Sequence, residues 1–188
     1  VPDVDAVLTT RELVGLLRQR GLDLARLSPE PADDPFGTRS TAGRLFAGSG
    51  GVMESALRTA HWLLTGTDAA ELKVQAVRAG DGVREVRLRV GGLELGAAVV
   101  SGLAQAKALL AQVRAGRSDQ HFIEVMTCPG GCLTGGGQVR AASGEALRAR
   151  QQALYALDRE GALRTAHANE SIRLLYDEFL GAPLGEVS

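Results

Sequence analysis

The 188-residue chain has only two cysteines, three histidines and 4% aromatic residues. Two cysteines cannot form a disulfide framework. They also fall short of a four-thiolate metal site, and His61, His121 and His167 are scattered, with no ligand-like spacing to the thiols. With so few rings, a core must be built mostly from Leu, Val and Ala. The net charge of −1 gives no electrostatic footprint for nucleic acid or an anionic membrane surface. No apolar run approaches the ~20 residues of a membrane span. The opening Val1-Pro2-Asp3-Val4-Asp5 has neither the charged nor the apolar region of a signal peptide. A first residue of Val suggests a processed, excised or partial chain, and the expected location is cytoplasmic.

What is present suits a packed domain. Hydrophobic residues make up 45% and charged residues 23%. A chain of this length buries roughly two-thirds of its unfolded surface, so residues 1–188 are expected to form a single unit. Ala6-Val7-Leu8 suggests a short buried strand. Thr9-Thr10 precedes Arg11-Glu12-Leu13 as a helix N-cap, with Leu13, Leu16 and Leu17 on one face and Gly21 as the stop. Residues 27–40, with Pro29, Pro31 and Pro35, suggest a surface loop.

Glycine is abundant, at 24 residues, and clustered. The first cluster, Gly43 to Gly51, feeds a helix expected to end near Gly66. It is either a tight, closely packed turn or a set of backbone N–H groups facing an anion. Alternation over Leu72–Val77 and Glu85–Val90, with turns at Ala79–Gly82 and Gly91-Gly92, predicts hairpin strands. Leu93–Val100, a helix through Val113, then Phe122–Met126 predicts a parallel βαβ crossover. Helices are expected at about 144–160 and 168–180. The fold class is therefore α/β: a mixed sheet with a parallel βαβ crossover, a β-hairpin or meander, and C-terminal helices.

The second glycine cluster holds both thiols: Cys128-Pro129-Gly130-Gly131-Cys132-Leu133-Thr134-Gly135-Gly136-Gly137-Gln138. Pro129 and the glycines argue for a loop that wraps something. Ligands of α/β proteins gather where it begins, at the carboxyl end of a strand. Four readings are open: an inert buried pair, a redox dithiol, zinc, or an iron–sulfur cluster. Dithiol motifs usually have two intervening residues, not three. Soft thiolates within a glycine cradle favour a metal or cluster role. Glu124 either orients this loop by accepting backbone N–H bonds or ends the strand in solvent. Thr127 and Thr134 are expected to be loop hydrogen-bonders.

From Glu124 to Gln138 the chain resembles the catalytic domain of iron-only (FeFe) hydrogenases. Their motif Glu-x-Met-x-Cys-x-x-Gly-Cys-x-x-Gly-Gly-Gly-Gln-Pro is matched at every fixed position up to Val139, which replaces the proline. Val4–Leu13, Phe46–Arg58 and Ala153–Leu184 are similar to further segments of that family. Ala47-Gly48-Ser49 departs from its Gly-x-Thr. The resemblance implies a 4Fe–4S cubane bridged by a thiolate to a diiron subsite with CO, cyanide and dithiolate ligands. It implies Cys128 as a cubane ligand, Cys132 as the bridging ligand, Met126 beside the diiron unit and Phe46 as an apolar wall. Gly50, Gly51, Gly130, Gly131, Gly135, Gly136 and Gln138 would line the cofactor.

The family's two upstream cysteine motifs are absent, so these residues resemble the C-terminal half of the catalytic domain, inactive alone. The implied partners are the N-terminal half, a ferredoxin or nicotinamide-linked electron-transfer subunit, and maturation proteins. Two alternatives stand beside this: a hydrogenase-like iron–sulfur assembly protein without the diiron unit, and a split subunit completing its site with another chain.

Overall fold

The computed structural model describes residues 3–34, 37, 39–69, 82–139, 143–182 and 185. Helices α1 (Thr10–Gln19), α2 (Ala42–Leu45) and α3 (Gly51–Thr65) come first. Strands β1 (Val83–Val90) and β2 (Leu93–Ser101), helix α4 (Leu103–Arg114) and strand β3 (Phe122–Met126) follow. Helices α5 (Gly144–Arg159) and α6 (Glu170–Leu175) close the chain, and α6 continues as a π turn over Tyr176–Leu180. The sheet order is β1-β2-β3, antiparallel between β1 and β2 and parallel between β2 and β3. This is the α/β arrangement expected. The strand expected at Leu72–Val77 lies outside the described residues, as does most of its turn.

The central strand explains the layering. Along β2, Ala97 and Val99 pack with Met53 and Leu57 of α3 and with Leu88 and Val90 of β1. Ala98 and Val100 pack with Ala106 and Leu109 of α4, joined by Ile123. Alternate side chains of a strand face opposite ways, so helices cover both faces of β2, and its run of small apolar residues follows from that. Burying Met53 or Leu57 contributes roughly 1.5–3 kcal/mol each. On β1, Glu85, Arg87 and Arg89 stay exposed, as the alternation predicts.

The side of α3 away from the sheet is held differently. Arg58 donates from both terminal nitrogens to Asp158 of α5, at 2.9 and 2.7 Å, and to Glu54 at 2.6 Å. Arg164 and Thr41 also donate to Asp158, at 3.0 and 3.1 Å. Asp158 is fully buried. Burial alone would raise its pKa, but hydrogen bonds from Arg58 and Arg164 outweigh that and lower it to about 2. The cluster ties α5 to the sheet domain.

One expectation needs correction, and two others gain detail. Ala6-Val7-Leu8 forms no strand, and Val7 is 86% exposed. No described strand lies alongside it to pair with. Helix α1 does start at a Thr9–Glu12 capping box. Reciprocal bonds with Thr9 lower the Glu12 pKa. Yet α1 buries nothing, and Leu13 and Leu16 stay exposed. The Gly43–Gly51 stretch is not all turn: it includes the end of α2, whose Ala42 and Leu45 are buried.

Candidate functional site

The parallel strands β2 and β3 end side by side, with Ser101 paired to Met126. Two glycine-rich segments meet above those ends: the turn from Phe46 to Gly51, and the loop from Thr127 to Val139. Their meeting begins with Glu124 near the end of β3. Its carboxylate is 6% exposed and accepts the N–H of Gly50 at 2.6 Å and the N–H of Met53 at 2.7 Å. Those two amides belong to the first turn of α3, which has unfilled donors and the positive end of the helix dipole. Both sequence alternatives for the glycine turn are thus realised. It is tightly packed, and its free amides do face an anion, which is the chain's own Glu124. Of the two readings of Glu124, acceptance of backbone N–H bonds is the one observed.

Close approach dictates glycine at two points. A Cβ on Gly51 would lie 1.8 Å from the Leu45 carbonyl oxygen. A Cβ on Gly131 would lie 2.9 Å from the Ala47 carbonyl oxygen and 3.0 Å from the Ser49 nitrogen, and its φ of +70° already favours glycine. The cysteine loop therefore lies backbone to backbone on the Phe46–Gly51 turn. Leu133 donates its N–H to the Ala47 carbonyl at 3.2 Å. Beneath the turn, the buried hydroxyls of Ser49 and Ser101 are 2.9 Å apart.

The loop has its own bracing. Gly131 donates to the Cys128 carbonyl at 3.0 Å, and a 3-10 turn over Gly131–Leu133 carries Cys132. Thr134 donates its hydroxyl to the Pro129 carbonyl. Gln138 donates its N–H to the Gly135 carbonyl at 2.9 Å. At the far end, Arg11 donates its N–H to the Gly137 carbonyl at 3.2 Å and its side chain to Gly136.

Both cysteines are free thiols; Cys128 is half-buried and Cys132 exposed. Met126 is half-buried at the strand end, and Phe46 is 45% exposed on the facing turn. Gly50, Gly51, Gly130 and Gly131 are buried, Gly135 and Gln138 half-buried, and Gly136 exposed. The structure thus gathers the sequence candidates at one rim. The histidines are engaged elsewhere: His61 with Thr67, His121 with Gly96, and His167 stacked on Trp62.

Two accessible soft thiols on a glycine loop suit an iron–sulfur cluster in kind. In number they supply half of a four-cysteine set. Among the described residues no three His, Cys, Asp or Glu side chains converge as a metal site.

Sequence reading missed Arg150 and the cluster around Arg58. Arg150 of α5 donates to the Leu133 carbonyl at 2.9 Å and to the Val139 carbonyl at 2.9 Å. An arginine among polar helix residues carries no signal of such contacts. The Glu54–Arg58 spacing of i,i+4 was a usable signal, but its burial was not.

The family model described as "Iron only hydrogenase large subunit, C-terminal domain" matches residues 1–136, and that of "Iron hydrogenase small subunit" matches 144–188. The chain is 45% identical over 188 residues to the NADP-reducing hydrogenase subunit HndD of Solidesulfovibrio fructosivorans, covering 100% of this chain and 32% of that protein. It is 36% identical over 184 residues to the cytosolic iron-sulfur assembly component 3 of Mus musculus, covering 95% and 38%. An FeFe-hydrogenase HydA1 structure from Chlamydomonas reinhardtii superposes with a TM-score of 0.74 at 38% identity, covering 97% of this chain and 53% of that one. The chain spans about a third of the length of these curated relatives and about half of the solved chain.

Proposed function

This chain belongs to the iron-only hydrogenase family, and from that premise we propose that it is the C-terminal half of a catalytic domain that interconverts protons and hydrogen. The observation that carries the reading is the rim itself: a complete Glu124–Gln138 motif on a backbone-packed glycine platform, with both thiols accessible. In this reading Cys128 and Cys132 would supply thiolates to a 4Fe–4S cubane, and Cys132 would be the ligand shared with the diiron subsite. The bound group supplies the redox chemistry. This chain supplies two thiolates, the Met126 and Phe46 side chains as apolar neighbours, and a platform that Glu124 fixes to α3.

The remaining cubane thiolates come from outside these 188 residues, either from an N-terminal half in the same polypeptide or from a separate chain. Apolar side chains left exposed beyond the rim support such a partner: Leu13 and Leu16 on α1, and Leu110 and Val113 on α4. Among the described residues no helix is long and apolar enough to cross a membrane. A nicotinamide-linked electron partner suits the likeness to an NADP-reducing hydrogenase subunit, with ferredoxin the other candidate. Insertion of the diiron unit requires maturation proteins.

The second reading is an iron–sulfur assembly protein with the cluster but no diiron unit, favoured by the 36% identity to the mouse assembly component. Infrared spectroscopy of the matured full-length protein separates the two. Bands from metal-bound CO and cyanide, with hydrogen evolution, are expected. A cluster without those bands supports the assembly reading instead. Cys132→Ala is expected to abolish both the bands and the turnover, and wild-type turnover in that variant overturns the assignment.

A further inference from the structure

One stripe of α5 faces inward along its length. Arg150, Leu154 and Asp158 are spaced i, i+4 and i+8, so they share a helix face over about 12 Å. Asp158 is locked in the buried cluster with Arg58. Leu154 packs on the glycine turn, its methyl 3.4 Å from where a Gly48 Cβ would sit. Arg150 reaches the cysteine loop. Its two terminal nitrogens each donate at 2.9 Å, one to the Leu133 carbonyl and the other to the Val139 carbonyl.

Those two carbonyls bracket the run Thr134-Gly135-Gly136-Gly137-Gln138. Three consecutive glycines have more conformational freedom than any other tripeptide, so the run depends on the hydrogen bonds that brace it, those of Arg11 and Gln138 included. A guanidinium is planar, always charged, and presents its donors in a rigid fork. Beside those bonds, one Arg150 side chain ties the two ends of the run to each other. Leu133 directly follows Cys132, so the clamp acts one residue from that thiol.

We propose that Arg150 is a positioning residue for the cysteine loop: held by a helix anchored at Asp158, its fork closes the glycine run and sets the direction of the Cys132 thiol. Arg150 acts through two backbone carbonyls and its role is to hold the ligand loop in shape before any cluster arrives. Its consequence for the cluster rests on the reading of Cys128 and Cys132 as ligands.

The test uses the apo form of the full-length protein, without iron. Amide hydrogen exchange across the peptide holding Leu133–Val139, whose N–H groups at Leu133, Thr134 and Gln138 are hydrogen-bonded in the fold, is followed by mass spectrometry. Arg150→Gln is expected to raise the exchange rate of that peptide about tenfold, as loss of two charge-assisted bonds opens the loop. Arg150→Lys, which keeps the charge but reaches one carbonyl, is expected to fall between wild type and Gln. Guanidinium at sub-denaturing concentration is expected to bring the Arg150→Gln rate back towards wild type, while ammonium at equal ionic strength does not. A wild-type rate in Arg150→Gln, a wild-type rate in Arg150→Lys, or equal rescue by ammonium overturns the clamp. If Arg150→Gln does not fold, Arg150→Lys alone decides. Because no cluster is present, failure of the clamp is distinguishable from failure of the cluster reading, which the infrared bands test.

Discussion

Helix α5 joins two regions built on opposite terms. At its Asp158 end the main contacts are between the buried side chains of Arg58, Glu54 and Asp158, with each charge met by an opposite one. At its Arg150 end the partners are backbone carbonyls, the surroundings are glycine, and two thiols remain free. The first region is closed: Arg58 and Asp158 satisfy each other within the chain. The second is open: its two thiols have no disulfide partner, and under the proposed function they are the donors for a cluster. A buried ion pair does not by itself make a protein more stable than an apolar core would. Here it sets position, holding α5 at one end so that its other end meets the cysteine loop.

The sharpest way to break the contrast is to open the closed region. Asp158→Ala leaves Arg58 buried beside Glu54 with its main partner gone. A loss of about 3–5 kcal/mol is expected in urea unfolding, with the cysteine rim disordered as α5 loosens. A loss under 1 kcal/mol would mean that the ion cluster does not anchor the helix.

Acid titration probes the same anchor more gently. The Asp158 pKa is lowered in the fold, so its contribution is fully present above the unfolded value, near pH 4, and fades as pH falls towards the folded value of about 2. Roughly 2 kcal/mol of stability is expected to disappear across that window. Asp158→Asn is expected to remove this part of the pH dependence, and an unchanged profile in that variant would assign the acid loss to other carboxyls.

The smallest effect tests the platform rather than the anchor. Glu124→Gln keeps shape but turns an amide N–H₂ towards one of the two donors at Gly50 and Met53. A cost of about 1–2 kcal/mol is expected, with amide exchange at Gly50 and Met53 rising in parallel. Unchanged exchange would show that α3 holds those amides without Glu124.

Local patterns were legible where they were self-sufficient. The Thr9 cap, the Gly66 stop and the strand alternation of Glu85–Val90 all depend on neighbours within a few residues, and the crossover into Phe122–Met126 follows from the order of such local elements. The α1 stripe was legible as a helix face, but an amphipathic face states what a helix can bury, not that a partner is present among these residues. Ala6-Val7-Leu8 misled because a short apolar run becomes a strand only when another strand pairs with it.

Sequence alone determined the kind of chemistry on offer. Both thiols fall within one glycine-rich motif, a pattern that is local and legible in the sequence, and soft ligation by them belongs to the proposed function. Tertiary structure decided what holds that motif in place. Glu124 meets Gly50 and Met53 across 74 and 71 positions, and Arg58 meets Asp158 across 100. Arg150 reaches Leu133 and Val139 from a neighbouring helix. No periodicity encodes such pairings, because they depend on which backbone groups the fold leaves without partners and which side chains it places beside them.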